Sequence, residues 1–208
     1  MFRRQIQLIG KENQDILSKK SVLIVGCGGL GNSLGMILSC IGLKRIVLID
    51  FDEIEIHNLH RQLAFNKEDI GKSKAEVLAE KIKRCDTKIE FINKKFDENL
   101  EIEVDLVFDA SDNFKTRQKI DKFAKKKKIP WIYTSVDEFV GQVGVFEKSS
   151  FDMFAIKEQE TKGQIPSMVS LIASIEAMLG IKKLIGKQEE ILYFVDFSKE
   201  LEIKKFKF

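Results

Sequence analysis

Through residue 135, short apolar runs alternate with longer mixed segments. Residues 22–25 and 45–49 are dominated by Val, Ile and Leu, the pattern of strands buried on both faces. Between them lie a glycine-rich turn at 26–31 and a helically spaced stretch at 32–41. Residues 72–84 set Ala75, Leu78, Ala79 and Ile82 on one helical face and Lys and Glu on the other. Residues 88–92 and 104–108 read as the third and fourth strands, 115–126 as an amphipathic helix and 131–135 as a fifth strand. The order β-α-β-α-β-β-α-β predicts a doubly wound, Rossmann-like α/β fold: a mainly parallel sheet with helices on both faces.

Beyond residue 135 the rhythm changes. Residues 142–146 read as a strand after Gly141, and Pro166 opens a long apolar helix through Leu184, with proline in its favoured first turn. Residues 191–197 and 202–208 close the chain as an antiparallel hairpin that extends the sheet. At the other end, 11–19 reads as a short polar helix, and Arg3 and Arg4 before it as a solvated tail. Two polar, aperiodic stretches remain, 51–70 and 149–165. The first has the length of a functional loop, and the second reads as mobile.

Composition narrows the class. At 208 residues with 44% hydrophobic and 32% charged residues, the chain reads as one soluble globular domain. Its expected parts are an N-terminal arm and helix (1–20), a nucleotide-binding core (21–135) and a closing, partner-binding part (136–208). A net charge of +3 is too mild to imply nucleic acid. Residues 21–43 carry no charge and could span a bilayer, but their six glycines and strand-turn-helix pattern argue for a buried fold. Charged residues precede any apolar run, so no signal peptide is expected and the cytoplasm is the predicted compartment. Cys27, Cys40 and Cys85 form no C-x-x-C pair, and their odd number predicts three buried thiols rather than a disulfide frame. With His57 and His60 they make no tetrahedral set for structural zinc.

The chemistry concentrates around the first turn. Gly26, Gly28 and Gly31 satisfy G-x-G-x-x-G with Gly29 inside it, which lets a phosphate or ribose approach bare amides. Asp50 follows about 20 residues later, where a carboxylate accepts from ribose hydroxyls. This unit binds the adenosine end of either NAD or ATP. Arg61, in the polar loop as N-L-H-R-Q, suits a triphosphate and has no use in hydride transfer. Lys72 and Lys74 open the next helix, where lysine opposes the helix dipole and so calls for a nearby anion; spacing does not choose between them. Asp112 and Asn113 follow the fourth strand, at the sheet edge that binds ligands, and either hold Mg²⁺ on phosphate or cap the helix.

Six motifs in register carry a resemblance: R-Q-I (4–6), G-x-G-G-L-G (26–31), D-F-D (50–52), N-L-x-R-Q (58–62), G-K-x-K (71–74) and S-D-N-F-x-T-R (111–117). The chain resembles the ThiF/MoeB family, relatives of ubiquitin-activating enzymes that adenylylate the C-terminal glycine of a ubiquitin-like sulfur carrier. G-Q-V-G-V-F and I-E-A-M-L-G-I-K-K-L extend the likeness to Leu184. The resemblance implies that Gly26, Gly28, Gly29 and Asn58 belong to the nucleotide site and that Asp50 holds the ribose. It implies that Arg61 and Lys74 clamp the phosphates, and that Asp112 binds Mg²⁺ with Asn113 beside it. Arg4 is similar to an arginine that enters a neighbour's ATP site, which implies a homodimer. The partner implied is a ThiS-like carrier ending in Gly-Gly, in thiamine thiazole biosynthesis; molybdopterin-type carriers, a small-molecule or tRNA-bound carboxylate, a non-catalytic nucleotide-binding partner and an NAD(P)-dependent oxidoreductase are the alternatives. Residues 125–128 and 157–165 are candidates to meet the carrier, although a lysine run also reads as a solvated helix end.

Two departures matter. The paired C-x-x-C motifs of many relatives are absent, so no structural zinc is expected. Residues 157–167, KEQETKGQIPS, hold no cysteine, which predicts adenylylation without a covalent carrier adduct there and a separate sulfur donor.

Overall fold

A computed structural model describes residues 1–154 and 162–208. Its elements run α1 (Arg3–Ile9), α2 (Lys11–Leu17), β1 (Ser21–Val25), α3 (Gly29–Leu38), β2 (Arg45–Asp50), α4 (Lys74–Lys81), β3 (Lys88–Asn93), β4 (Leu106–Asp109), α5 (Phe114–Lys127), β5 (Trp131–Asp137), β6 (Val140–Phe146), α6 (Pro166–Leu184), β7 (Ile191–Asp196) and β8 (Glu202–Phe206). Short 3₁₀ turns lie at Ile56–Asn58, Lys67–Asp69 and Phe151–Phe154.

The strands form one sheet in the order β3-β2-β1-β4-β5-β6-β7-β8. The first five in that order pair parallel; β6, β7 and β8 continue the sheet antiparallel. β1 lies between β2 and β4, so successive crossovers leave it in opposite directions and open a crevice at its carboxyl end.

Alternate side chains of each strand enter two separate cores. Val22, Ile24, Ile46, Leu48 and Phe108 pack under α3, α4 and α6. Leu23, Val25, Val47, Val107 and Trp131 pack under α5. Trp131 stacks on Phe146 with ring centroids 5.0 Å apart, and Phe151 meets its edge at 5.6 Å. The expected α/β fold is the one found.

Several expectations need correction. Residues 3–9 are helical rather than a solvated tail, because Gln5 Nε2 donates to Gln14 Oε1 and to the Ile41 carbonyl, both at 2.8 Å. α3 starts inside the glycine turn, three residues before the predicted 32, because Leu30 already packs in the core. α4 starts at Lys74, after the Ser73 N-cap, and is shorter than the predicted 72–84. The 51–70 stretch has its own anchors: Ile54 and Phe65 are buried, and Asn66 and Asp69 close a capping box.

The cysteine expectation also fails. Cys27 is a free buried thiol, but Cys40 and Cys85 form a disulfide across 45 residues, with Cα atoms 5.4 Å apart. They follow α3 and α4, two helices that pack on the same face of the sheet. Among the described residues no helix is long and apolar enough to cross a membrane. Of the predicted mobile loop at 149–165, residues 155–161 lie outside the described residues.

Candidate active site

The glycine turn is set by close backbone packing. Gly26 has φ +100°, and a Cβ there would lie 2.5 Å from the Ala110 carbonyl oxygen. A Cβ on Gly31 would lie 2.0 Å from the Gly26 oxygen. Side chains at either position would push β1 away from the β4–α5 connection or α3 away from the turn. Gly28 and Gly29 line a cavity of about 410 Å³ at the carboxyl ends of the parallel strands. Gly29 also sits beneath α6, where a Cβ would approach Val169 Cγ1 to 2.9 Å.

Asp50 ends β2 at the same cavity. Its Oδ2 accepts from the Cys27 amide at 2.6 Å and its Oδ1 from the Asp52 amide at 2.8 Å. Burial pushes the carboxyl above its ordinary range, partly offset by those two amides and by Lys74. The carboxylate thus ties the turn to the second strand while it faces the cavity.

The two cations arrive from different elements. Arg61 lines the cavity from the polar loop, held by its amide on the Asn58 carbonyl (3.1 Å) and its Nη1 on the His57 carbonyl (3.3 Å). Lys74 lines it from the first turn of α4, with Nζ 2.9 Å from Asp52 Oδ2. Asp52 is the anion that a lysine at a helix N-terminus requires. Lys72 lies outside the cavity, exposed and 3.8 Å from Asp69.

Across the crevice, Asp112 and Asn113 line the cavity from the β4–α5 connection. Asn113 Oδ1 accepts from the Thr116 amide at 2.8 Å, so the helix cap is Asn113. Asp112 is exposed, and among the described residues no side-chain hydrogen bond engages its carboxylate. Those residues contain no group of three or more His, Cys, Asp or Glu able to hold a metal ion. A single carboxylate is nevertheless what Mg²⁺ needs when phosphate and water supply its other oxygens.

Two expected site residues stand apart. Asn58 is buried and does not line the cavity; its Oδ1 accepts from the Glu55 amide and shapes the turn that carries Arg61. Arg4 is exposed on α1, which Gln5 ties to Gln14 of α2 and to the Ile41 carbonyl, beyond the end of α3 remote from Gly29. It does not reach the cavity of its own chain.

Other residues enter that had been given no role in the site. Asn32 donates to the Cys27 carbonyl (2.9 Å) and accepts from the Ala64 amide (2.8 Å), joining the glycine turn to the Arg61 loop. Gln62 is buried at the cavity wall with its Oε1 unpartnered among the described residues. The far wall carries Tyr133, whose hydroxyl donates to Gln142 Oε1 at 3.2 Å. Beneath the cavity lie Asp109 and Glu176, each with no exposed surface. Burial, then the neighbouring Asp109, pushes the Glu176 carboxyl well above its ordinary range, and the Thr134 hydroxyl acts in the opposite direction. That hydroxyl lies close by, yet neither carboxyl oxygen reaches hydrogen-bond geometry with any described group.

The lysine run of α5 is largely occupied. Lys125 pairs with Asp121 at 2.6 Å, and Lys127 with Glu101 at 3.3 Å and Glu103 at 3.0 Å. The other carrier-facing candidate, 157–165, includes residues 157–161, which lie outside the described residues.

Fold and cavity together define a Rossmann-like α/β protein in which a glycine turn, a strand-end carboxylate and two cations face one crevice. A family model described as the ThiF family matches residues 2–207, and the chain belongs to that family. A sulfur carrier protein adenylyltransferase of Thermus thermophilus is 34% identical over 153 residues, covering 70% of this chain and 56% of the relative. The sulfur carrier protein ThiS adenylyltransferase of Escherichia coli is 30% identical over 203 residues, covering 89% of this chain and 81% of the relative. The chain thus spans little more than half of the first relative's length. Among solved structures, Escherichia coli MccB with AMPCPP and MccA superposes with a TM-score of 0.83 at 23% identity, covering 93% of this chain and 65% of that one. That likeness shows the shared fold.

Proposed function

We propose that this chain is an ATP-dependent adenylyltransferase acting on the C-terminal glycine of a small ubiquitin-like sulfur carrier, with release of pyrophosphate. The observation that carries this reading is the meeting of Arg61, Lys74 and Asp112 around the glycine turn in one cavity. A dinucleotide site would leave all three without work. The ThiS adenylyltransferase likeness, which runs over most of both chains, supports the thiamine thiazole branch.

In this reading the amides of residues 26–31 and the Asp50 carboxylate hold the nucleoside, while Arg61 and Lys74 neutralise the phosphates. The carrier's terminal carboxylate attacks the α-phosphorus, the bond to the β-phosphate oxygen breaks and pyrophosphate leaves. Positioning and charge stabilisation supply the acceleration, as expected for phosphoryl and nucleotidyl transfer. Asp112 would hold Mg²⁺, which when bound offsets charge on the phosphate oxygens. Arg4, out of reach of its own cavity, would complete the site of a second copy in a homodimer. Cys27 has 0% exposure, and burial followed by the Asp50 charge pushes its thiol well above its ordinary range, so it is a poor nucleophile. Sulfur would therefore come from a separate donor.

The protein with ATP, Mg²⁺ and a Gly-Gly-terminated carrier is expected to exchange labelled pyrophosphate into ATP. No exchange with any cognate carrier would sink the assignment. Faster exchange with a molybdopterin-type carrier than with a thiazole-type one would move it to the other branch.

A further inference from the structure

The loop that carries Asp112 hangs from a buried ion pair. Asp109, the last residue of β4, is 0% exposed, and Arg117 reaches back from α5 to place Nε 3.1 Å from its Oδ2. Asp109 Oδ1 accepts from both the amide (3.0 Å) and the hydroxyl (2.5 Å) of Ser111. The same guanidinium donates through Nη2 to the Ser111 carbonyl at 3.1 Å and to the Thr134 carbonyl of β5 at 3.0 Å. Its Cζ lies over the Tyr133 ring, 5.2 Å from the centroid. Downstream, the Asn113 cap anchors the other end of the loop on α5. Asp112 thus stands between two fixed points, with its own carboxylate left for the cavity.

We propose that Arg117 is a positioning residue for Asp112: acting through Asp109 and Ser111, it holds the β4–α5 loop where the Asp112 carboxylate can meet a metal–triphosphate. Fold stability alone does not call for this pair, since a well-packed apolar pair of similar volume often replaces a buried ion pair at no loss. Such a pair could not donate to the Ser111 carbonyl, and a lysine could not make the three bonds that the guanidinium fork makes at once. Groups that orient a metal-binding carboxylate without touching the metal commonly set its affinity. The inference rests on the reading of Asp112 as the metal-facing carboxylate.

The test is metal binding to the protein–ATP complex, using Mn²⁺ as a spectroscopic probe beside calorimetry of ATP with and without Mg²⁺. Arg117→Lys is expected to raise the Mn²⁺ dissociation constant about 10-fold to 100-fold, while metal-free ATP binding stays within about twofold. Asp112→Ala should lose at least as much, and the double variant no more than Asp112→Ala alone, because both act on one carboxylate. An unshifted Mn²⁺ affinity in folded Arg117→Lys, or losses that multiply in the double variant, would overturn the proposal. Ser111→Ala keeps the ion pair and removes only the hydroxyl bond; it should weaken Mn²⁺ binding severalfold even if Arg117→Lys does not fold, and an unchanged value there would equally count against the role. A wild type that binds no ATP overturns the site reading and this proposal together. A wild type that binds Mn²⁺–ATP but exchanges no pyrophosphate overturns only adenylylation, and the shift in metal affinity still supports the positioning role.

Discussion

Lys74 is buried against Asp52, its Nζ 2.9 Å from Oδ2, at the first turn of α4 where a lone lysine would oppose the helix dipole. Asp52 is about half exposed, at 46% of its side-chain surface, so it can swing toward solvent when a phosphate takes its place. Lys74→Met should therefore cut pyrophosphate exchange by about 10² or more, the usual loss for one preorganised donor at a developing charge. Lys72→Met, on a side chain 59% exposed and outside the cavity, should leave the rate unchanged. Equal losses in the two variants would return the choice between these lysines to where spacing left it.

Arg4 offers a test of assembly. Neither Arg4→Ala nor Asp112→Ala should turn over alone if each site takes its arginine from the other copy. Mixed in equal amounts and allowed to exchange subunits, the variants form heterodimers with one intact site in two. Recovery of about a quarter of wild-type exchange is expected for random pairing of a two-fold dimer. A confirmed heterodimer without activity would show that Arg4 does not act across the interface.

Glu176 gives a pH dependence whose sign follows from its burial. The folded state, buried beside Asp109 and with no hydrogen-bond partner among the described residues for either carboxyl oxygen, holds the proton more tightly than the unfolded chain does. Wild-type stability from this group is complete below the ordinary carboxylate range and is lost as pH rises through the raised folded value. Glu176→Gln removes that titration. Urea denaturation should find the variant gaining on wild type from roughly pH 5 upward, by at most about 1.4 kcal/mol per pH unit. A difference that stays flat between acid and alkaline pH would mean that Glu176 is not buried neutral.

The Cys40–Cys85 bridge closes a 45-residue span and so restricts the unfolded chain. Loops of that size gain about 2–4 kcal/mol from closure. Oxidised protein should melt higher than the Cys40→Ser/Cys85→Ser variant, and reductant should lower only the wild type. Thiol counting before and after reduction checks the pairing directly; three reactive thiols in the unreduced, denatured protein would show that the bridge does not form.

Much of this architecture was legible in the order of residues, for identifiable reasons. The strands that became β1 and β2 are built on aliphatic runs, and α6 matched its predicted span because Pro166 marks its start and, Glu176 apart, charge returns only at its end. What pattern could not reach was contact between distant positions. The helix at Arg3–Ile9 depends on Gln5 finding the Ile41 carbonyl, and the bridge depends on α3 and α4 ending side by side. Arg117 closes the S-D-N-F-x-T-R motif, but its pairing with Asp109 at the end of β4 was visible only once the fold joined them. One missed signal was plainly visible: Glu176 is the only charge between Pro166 and Ile181. A lone carboxyl in so apolar a helix is rarely without structural or functional work.

The Asn32 side chain, bonded at once to the Cys27 carbonyl and the Ala64 amide, has a mechanical consequence. The turn that would face the nucleoside and the loop that supplies Arg61 are coupled through one amide group, so neither can shift far without the other. An arginine on a long polar loop would ordinarily search many positions. Here it inherits the stiffness of the sheet, and the charge proposed to face the phosphates becomes part of the scaffold.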